Sequence, residues 1–135
     1  MTNVYLEYCM DGYNLVEEKI DSCNLLGKRL QEIKNEAAAI IKGIFSVDIV
    51  VEGNGRISVA LDDNCVLTYT SDDLEDVQTS LGDESAQGET LYYFGDYSNV
   101  SNKYIISYAK ALNVLNQWVQ YGTISNQISW TKNLY

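Results

Sequence analysis

Three short apolar runs separated by turn residues constrain this chain more than anything else in it. Residues 47–51, 57–61 and 66–70 are rich in Val, Ile and Leu, with Gly53-Asn54-Gly55 in the first gap and Asp62-Asp63-Asn64 in the second. Apolar runs of strand length joined by such turns pair with their neighbours, so the segment predicts an antiparallel meander. The chain has no proline, so its turns must be built from Gly, Asn, Asp and Ser.

The meander needs a cover. Upstream, Leu25, Leu26, Leu30, Ile33, Ala37, Ile40, Ile41 and Ile44 recur at three- and four-residue steps, with Lys28, Gln31, Glu32 and Glu36 on the opposite side. That spacing predicts an amphipathic helix over about residues 22–42, begun by Asp21 or Ser22 and stopped by Gly43. A second helix is predicted over residues 107–121, with Ser107 as N-cap, Leu112, Leu115, Trp118 and Val119 inward, and Gly122 as its stop. Further strands are expected at residues 4–8, which Asp11-Gly12 ends, at 90–97 and at 128–130. Residues 74–81 suit either a strand or an irregular loop, and 96–102 a turn-rich connection. Together these give an α+β fold: one domain over residues 1–135, a largely antiparallel sheet of about six strands, and two main helices.

Charge then narrows the function. The chain carries 19 acids against 9 bases, a net charge of -10. Between Ile57 and Asn102 there is no Lys or Arg, while Asp62, Asp63, Asp72, Asp73, Glu75, Asp76, Asp83, Glu84, Glu89 and Asp96 supply ten acids. The remainder holds nine of each sign, so the whole excess lies in one central third. A direct nucleic-acid partner requires the opposite sign, and so does an anionic membrane surface. No apolar run is long enough to span a bilayer and no signal peptide is visible, so a cytoplasmic location is expected.

Histidine is absent, which removes the commonest general base and metal ligand. Three widely spaced cysteines, Cys9, Cys23 and Cys65, form neither a disulfide framework nor a zinc site and read as small apolar residues. The pairs Asp72-Asp73 and Asp62-Asp63 lack calcium-loop spacing, and Gly53-Asn54-Gly55 lacks the lysine and helix of a phosphate loop. The residues therefore predict no catalysis, no metal and no cofactor. Eleven tyrosines, several close together at Tyr92, Tyr93, Tyr97, Tyr104 and Tyr108, point instead to a contact surface.

The last third carries a recognisable pattern. Leu91-Tyr92-Tyr93-Phe94-Gly95 is followed by Ile105-Ile106-Ser107-Tyr108-Ala109-Lys110-Ala111-Leu112, then Trp118, Tyr121-Gly122 and Ile128-Ser129-Trp130. It resembles the immunity proteins of bacterial polymorphic-toxin and contact-dependent-inhibition systems, specifically the family numbered first among them. There, an aromatic strand precedes a helix with small residues near its start, an aromatic near its end, a terminal Gly and a short strand closing in Trp. The family usually has a Pro after the helix Gly, where this chain has Thr123-Ile124-Ser125-Asn126.

The resemblance implies an α+β inhibitor that binds and neutralises a cognate toxin domain, often a nuclease or a nucleic-acid deaminase, by stoichiometric occlusion. Asp72, Asp73, Glu75, Asp76, Asp83 and Glu84 are the expected toxin-facing acids, with Tyr93 and Tyr97 as apolar anchors. The competing expectations are an acidic nucleic-acid mimic that blocks a DNA-binding protein and, behind it, a metal-dependent carboxylate enzyme. The residue pattern leaves the oligomeric state open.

Overall fold

A computed structural model describes residues 3–9, 14–39, 44–62, 64–93, 97–124 and 126–132, with the side chains of Cys23, Ile44, Tyr93 and Tyr97 outside that description. Its elements run β1 (Val4–Tyr8), β2 (Val16–Ile20), α1 (Leu26–Ala38), β3 (Ile44–Val51), β4 (Gly55–Leu61), β5 (Asn64–Thr70), β6 (Val77–Leu81), β7 (Glu89–Tyr93), β8 (Tyr97–Ser101), β9 (Ile106–Ser107), α2 (Tyr108–Tyr121) and β10 (Ser129–Thr131). Single turns of 3-10 helix at Cys23–Leu25 and Asn102–Tyr104 lead into α1 and β9. The class is α+β, as expected, but ten strands among the described residues replace the anticipated six or so.

The meander is the centre of the sheet. β3 pairs antiparallel with β4 from Phe45↔Leu61 to Val51↔Gly55, and β4 with β5 from Arg56↔Thr70 to Ala60↔Val66. The strand order is β10-β6-β5-β4-β3-β1-β2. Each outer edge of the meander is shared by two elements. β3 pairs with β1 over Asp48–Val51 and, parallel, with β7 at Ile44 and Phe45. β5 pairs with β6 over Thr68–Thr70 and with β9 at Asn64 and Cys65. At the gap between those two partners the buried Ser80 hydroxyl fills in, accepting from the Leu67 N–H at 3.0 Å and donating to the Tyr104 carbonyl at 2.8 Å.

Strand alternation sorts the residues by face. Leu6, Val47, Ile49, Ile57, Val59 and Leu67 are fully buried on one face, under Leu26, Leu30 and Ile33 of α1 and Val114, Leu115 and Trp118 of α2. Trp118 meets the Tyr69 ring edge to face, 5.3 Å between centroids. The opposite face has a smaller core at one end, where Ala60 and Val66 lie under Tyr92, Val100 and Tyr104. Beyond it that face carries Glu7, Asp48, Arg56, Ser58 and Thr68, with Tyr5 and Val50 beside them.

α2 matches its sequence signals at both ends. The Ser107 Oγ accepts from the Lys110 N–H at 3.3 Å, and Gly122 adopts the left-handed conformation at φ 73°, its N–H bonding the Trp118 carbonyl at 2.8 Å. α1 stops at Ala38 rather than near residue 42, and its expected stop Gly43, like the Asp11-Gly12 turn, lies outside the described residues. Two further expectations are corrected. β2 has no counterpart in the sequence prediction. The single strand at 90–97 is two, because Tyr97–Ser101, anticipated as a turn-rich connection, pairs back on β7 from Tyr93↔Tyr97 to Glu89↔Ser101.

Candidate interaction surface

The acids with the most local structure around them are those of the turn between β5 and β6, residues 71–76. Ser71 is its hub. The Ser71 N–H donates to the Asp76 carbonyl at 2.8 Å and its carbonyl accepts from the Leu74 N–H at 2.9 Å. Its hydroxyl donates to Asp73 Oδ1 at 2.6 Å and accepts from the Asp76 N–H at 2.9 Å. Asp73 Oδ1 also accepts from the Glu75 N–H at 3.0 Å. The Ser71 hydroxyl, and after it that amide, hold the Asp73 carboxyl below its ordinary pKa, so it stays ionised further into acid.

This turn forces Leu74 into the left-handed region at φ 67°, the one positive φ outside glycine among the described residues. For a branched side chain that conformation costs about 1–2 kcal/mol, which the surrounding bonds must offset. The outcome is a leucine 72% exposed at the tip of the turn, flanked by the exposed Asp72, Asp73 and Glu75. The β3–β4 turn lies alongside. Gly55 sits so close to the backbone of Thr70 to Asp72 that it has no room for a Cβ, and Asn54 packs on Gly122 at the end of α2. Tyr121, 67% exposed, precedes that glycine.

Asp83 and Glu84 are not part of this group. They follow β6 at its far end, about 17 Å away at about 3.4 Å per residue of strand. Asp83 is also held below its ordinary pKa, by the Ser85 hydroxyl and then the Ser85 N–H. Beside it, Glu84 lines a cleft of about 220 Å³ with Leu81, Tyr104 and Lys103, whose ammonium stands 5.1 Å from the Tyr104 ring centre. The expected acids thus divide into a turn group, Asp72, Asp73, Glu75 and Asp76, and a separate pair. Tyr93 and Tyr97 face each other in the β7–β8 ladder, and their side chains lie outside the description. Sequence reasoning does not single out Leu74, which lies among four acids in a segment that suits either strand or loop, or Tyr121, which stands at the end of the α2 run.

Four carboxylates elsewhere, Glu7, Glu18, Glu36 and Asp48, are met by arginine. Arg56 bonds Glu7 at 3.0 Å and Asp48 at 2.9 Å on the sheet face opposite the helices, where Ser58 also donates to Asp48. Arg29 grips Glu18 through two nitrogens at 2.6 and 2.7 Å, and Tyr8 donates to the same carboxylate at 2.5 Å. Glu18 falls to about 2, chiefly through the Arg29 hydrogen bonds, and Tyr8 rises to about 12 through burial and then Glu18. In the turn group the one cation at hand among the described residues is Lys132, 4.0 Å from Asp76 and largely solvated, worth little.

Among the described residues no group of three acids or cysteines is arranged to hold a metal ion. Cys65 is buried and Cys9 partly so, with no disulfide between them. No described helix is long and apolar enough to cross a membrane. The sequence matches no known protein-family profile and no curated protein.

Proposed function

We propose that this chain is an immunity protein that binds a cognate bacterial toxin domain and neutralises it by stoichiometric occlusion, with no chemistry of its own. One observation carries the proposal. The turn of residues 71–76 is held by its own hydrogen bonds and presents carboxylates with little cationic compensation around an exposed, strained leucine. A one-signed field of this kind raises the association rate with a basic surface, and an apolar group at its centre slows dissociation. Toxin domains that act on nucleic acids need basic clefts, and such a cleft is the complement of this turn. The α2 pattern from Ser107 to Gly122 and the closing Trp130 support the same family reading.

The acids of the turn bunch in a tight loop and do not run at phosphate-like intervals along a strand or helix, which favours occlusion of a toxin over mimicry of nucleic acid. The test first asks whether the adjacent upstream reading frame encodes a secreted protein with a C-terminal toxin domain, and then uses that domain, purified in a catalytically dead form. Tight one-to-one binding and abolished activity of the live toxin are expected, with association slowed at low salt by Asp72→Lys combined with Asp73→Lys. Absence of binding to that domain, together with DNA-competed binding to a duplex-binding protein, would establish the mimic instead.

A further inference from the structure

The opposite end of the sheet carries a different kind of surface. β2 pairs with β1 on one side and with no described strand on the other, so its outer row of backbone N–H and C=O groups is open. Charges on an edge strand normally discourage pairing, because any neighbour must bring matching charges in the right order. The order Val16-Glu17-Glu18-Lys19-Ile20 supplies its own match. In an antiparallel pair of two copies centred on Glu18, Val16 faces Ile20 of the second copy and Glu17 faces Lys19, each contact occurring twice.

The charges in the single chain are arranged as that register needs them. Glu18, which would meet its own copy on the axis, is already neutralised by Arg29. Glu17 stands opposite Glu7 in the β1–β2 ladder, and Glu7 is taken by Arg56, so Glu17 gains no cation from its own strand pair. Neither Glu17 nor Lys19 makes an ion pair with another described residue, and both are exposed. Apolar surface collects here too: Leu15 is 66% exposed and Val16 38%.

We propose that two copies of this chain associate through β2, antiparallel and centred on Glu18, continuing the sheet across a two-fold axis. The net charge of -10 does not forbid it. The acidic turn borders β6, five strand spacings from β2, or about 24 Å along the sheet at about 4.8 Å each. That exceeds the Debye length of about 8 Å at physiological salt several-fold. A two-fold axis at β2 sends the two acidic ends outward, leaving both accessible. The proposal stands independently of what those ends bind.

Sedimentation velocity of the full chain, from low to high micromolar concentration at physiological salt, tests it. A reversible species of twice 15.2 kDa is expected. Lys19→Glu and Glu17→Lys each turn two attractive cross-strand pairs into repulsive ones and should raise the dimer dissociation constant about tenfold. Mixing the two single variants should produce a heterodimer, and the double variant should dimerise like the wild type, which separates register-specific pairing from a folding defect. A wild type that stays monomeric throughout overturns the proposal. So do single variants that dimerise unchanged, or a mixture and a double variant that fail to associate.

Discussion

Glu18 and Asp73 are both carboxylates held below their ordinary pKa, and the difference in how they are held separates two kinds of surface. Glu18 is gripped by a guanidinium, so its charge is cancelled and serves to tie β2 to α1. Asp73 is held by a hydroxyl and an amide, so its geometry is fixed while its charge remains. A carboxylate satisfied by cations is finished business within the fold. One satisfied by neutral donors is rigid and still negative, which is what an electrostatic docking surface requires.

Removing Arg29 should have the largest effect. Arg29→Met leaves Glu18 and Tyr8 without their cation and should cost about 3 kcal/mol in urea unfolding at neutral pH. The pH dependence follows in sign. With Glu18 at about 2 when folded and an ordinary value of 4.5, its contribution is complete above pH 4.5 and fades as pH falls toward 2. Glu18→Gln should flatten the stability profile across that window; an unchanged slope there would show that the pair is not the source.

Gly122→Ala comes next, at about 1–2 kcal/mol, because a side chain is strained at φ 73° and its Cβ would run into the Asn54 amide. Thermal melting measures the cost, and an unshifted midpoint would remove the cap from the account of how the β3–β4 turn is seated. Ser71→Ala should cost about 1 kcal/mol and raise the Asp73 pKa toward its ordinary value, read by NMR titration of the carboxyl carbon. The smallest change in stability is expected for Asp73→Asn, whose amide oxygen keeps both acceptor roles. Its effect should lie in association kinetics at low salt. A large loss of stability would mean that the charge of Asp73 is structural after all, and the contrast with Glu18 would collapse.

What could be read in advance depended on whether the cause is local. α2 was legible to the residue because Ser107 and Gly122 act on backbone groups within one turn of themselves. The meander was legible because apolar runs and turns alternate over adjacent residues. β2 was not: three consecutive charges carry no strand signal, and Glu18 becomes tolerable at the helix only through Arg29, supplied by α1. β8 was hidden likewise, since Tyr-Ser-Asn-Val-Ser has a turn composition and extends because β7 offers a ladder. For the surface, composition located the acids. Their division into a turn group and a distant pair follows from the length of β6, in a segment whose pattern suited either strand or loop. Leu74 became prominent through a backbone conformation that no residue count conveys.

The shared outer edges of the meander also set a timetable. β3 to β5 can zip together as soon as they leave the ribosome, since hairpin contacts are local and fast to form. Neither seam can close then, because β3 waits for β7 and β5 waits for β9, the latter ending at Ser107. During that interval the nascent chain carries half-bare strand edges, the feature that draws incomplete chains into aggregates. The stretch emerging meanwhile, from Ser71 to Asn102, carries eight acids and no base. Like charge on the unfinished part opposes contact between neighbouring nascent chains until the later strands arrive, the effect that charged residues flanking apolar strands have in general.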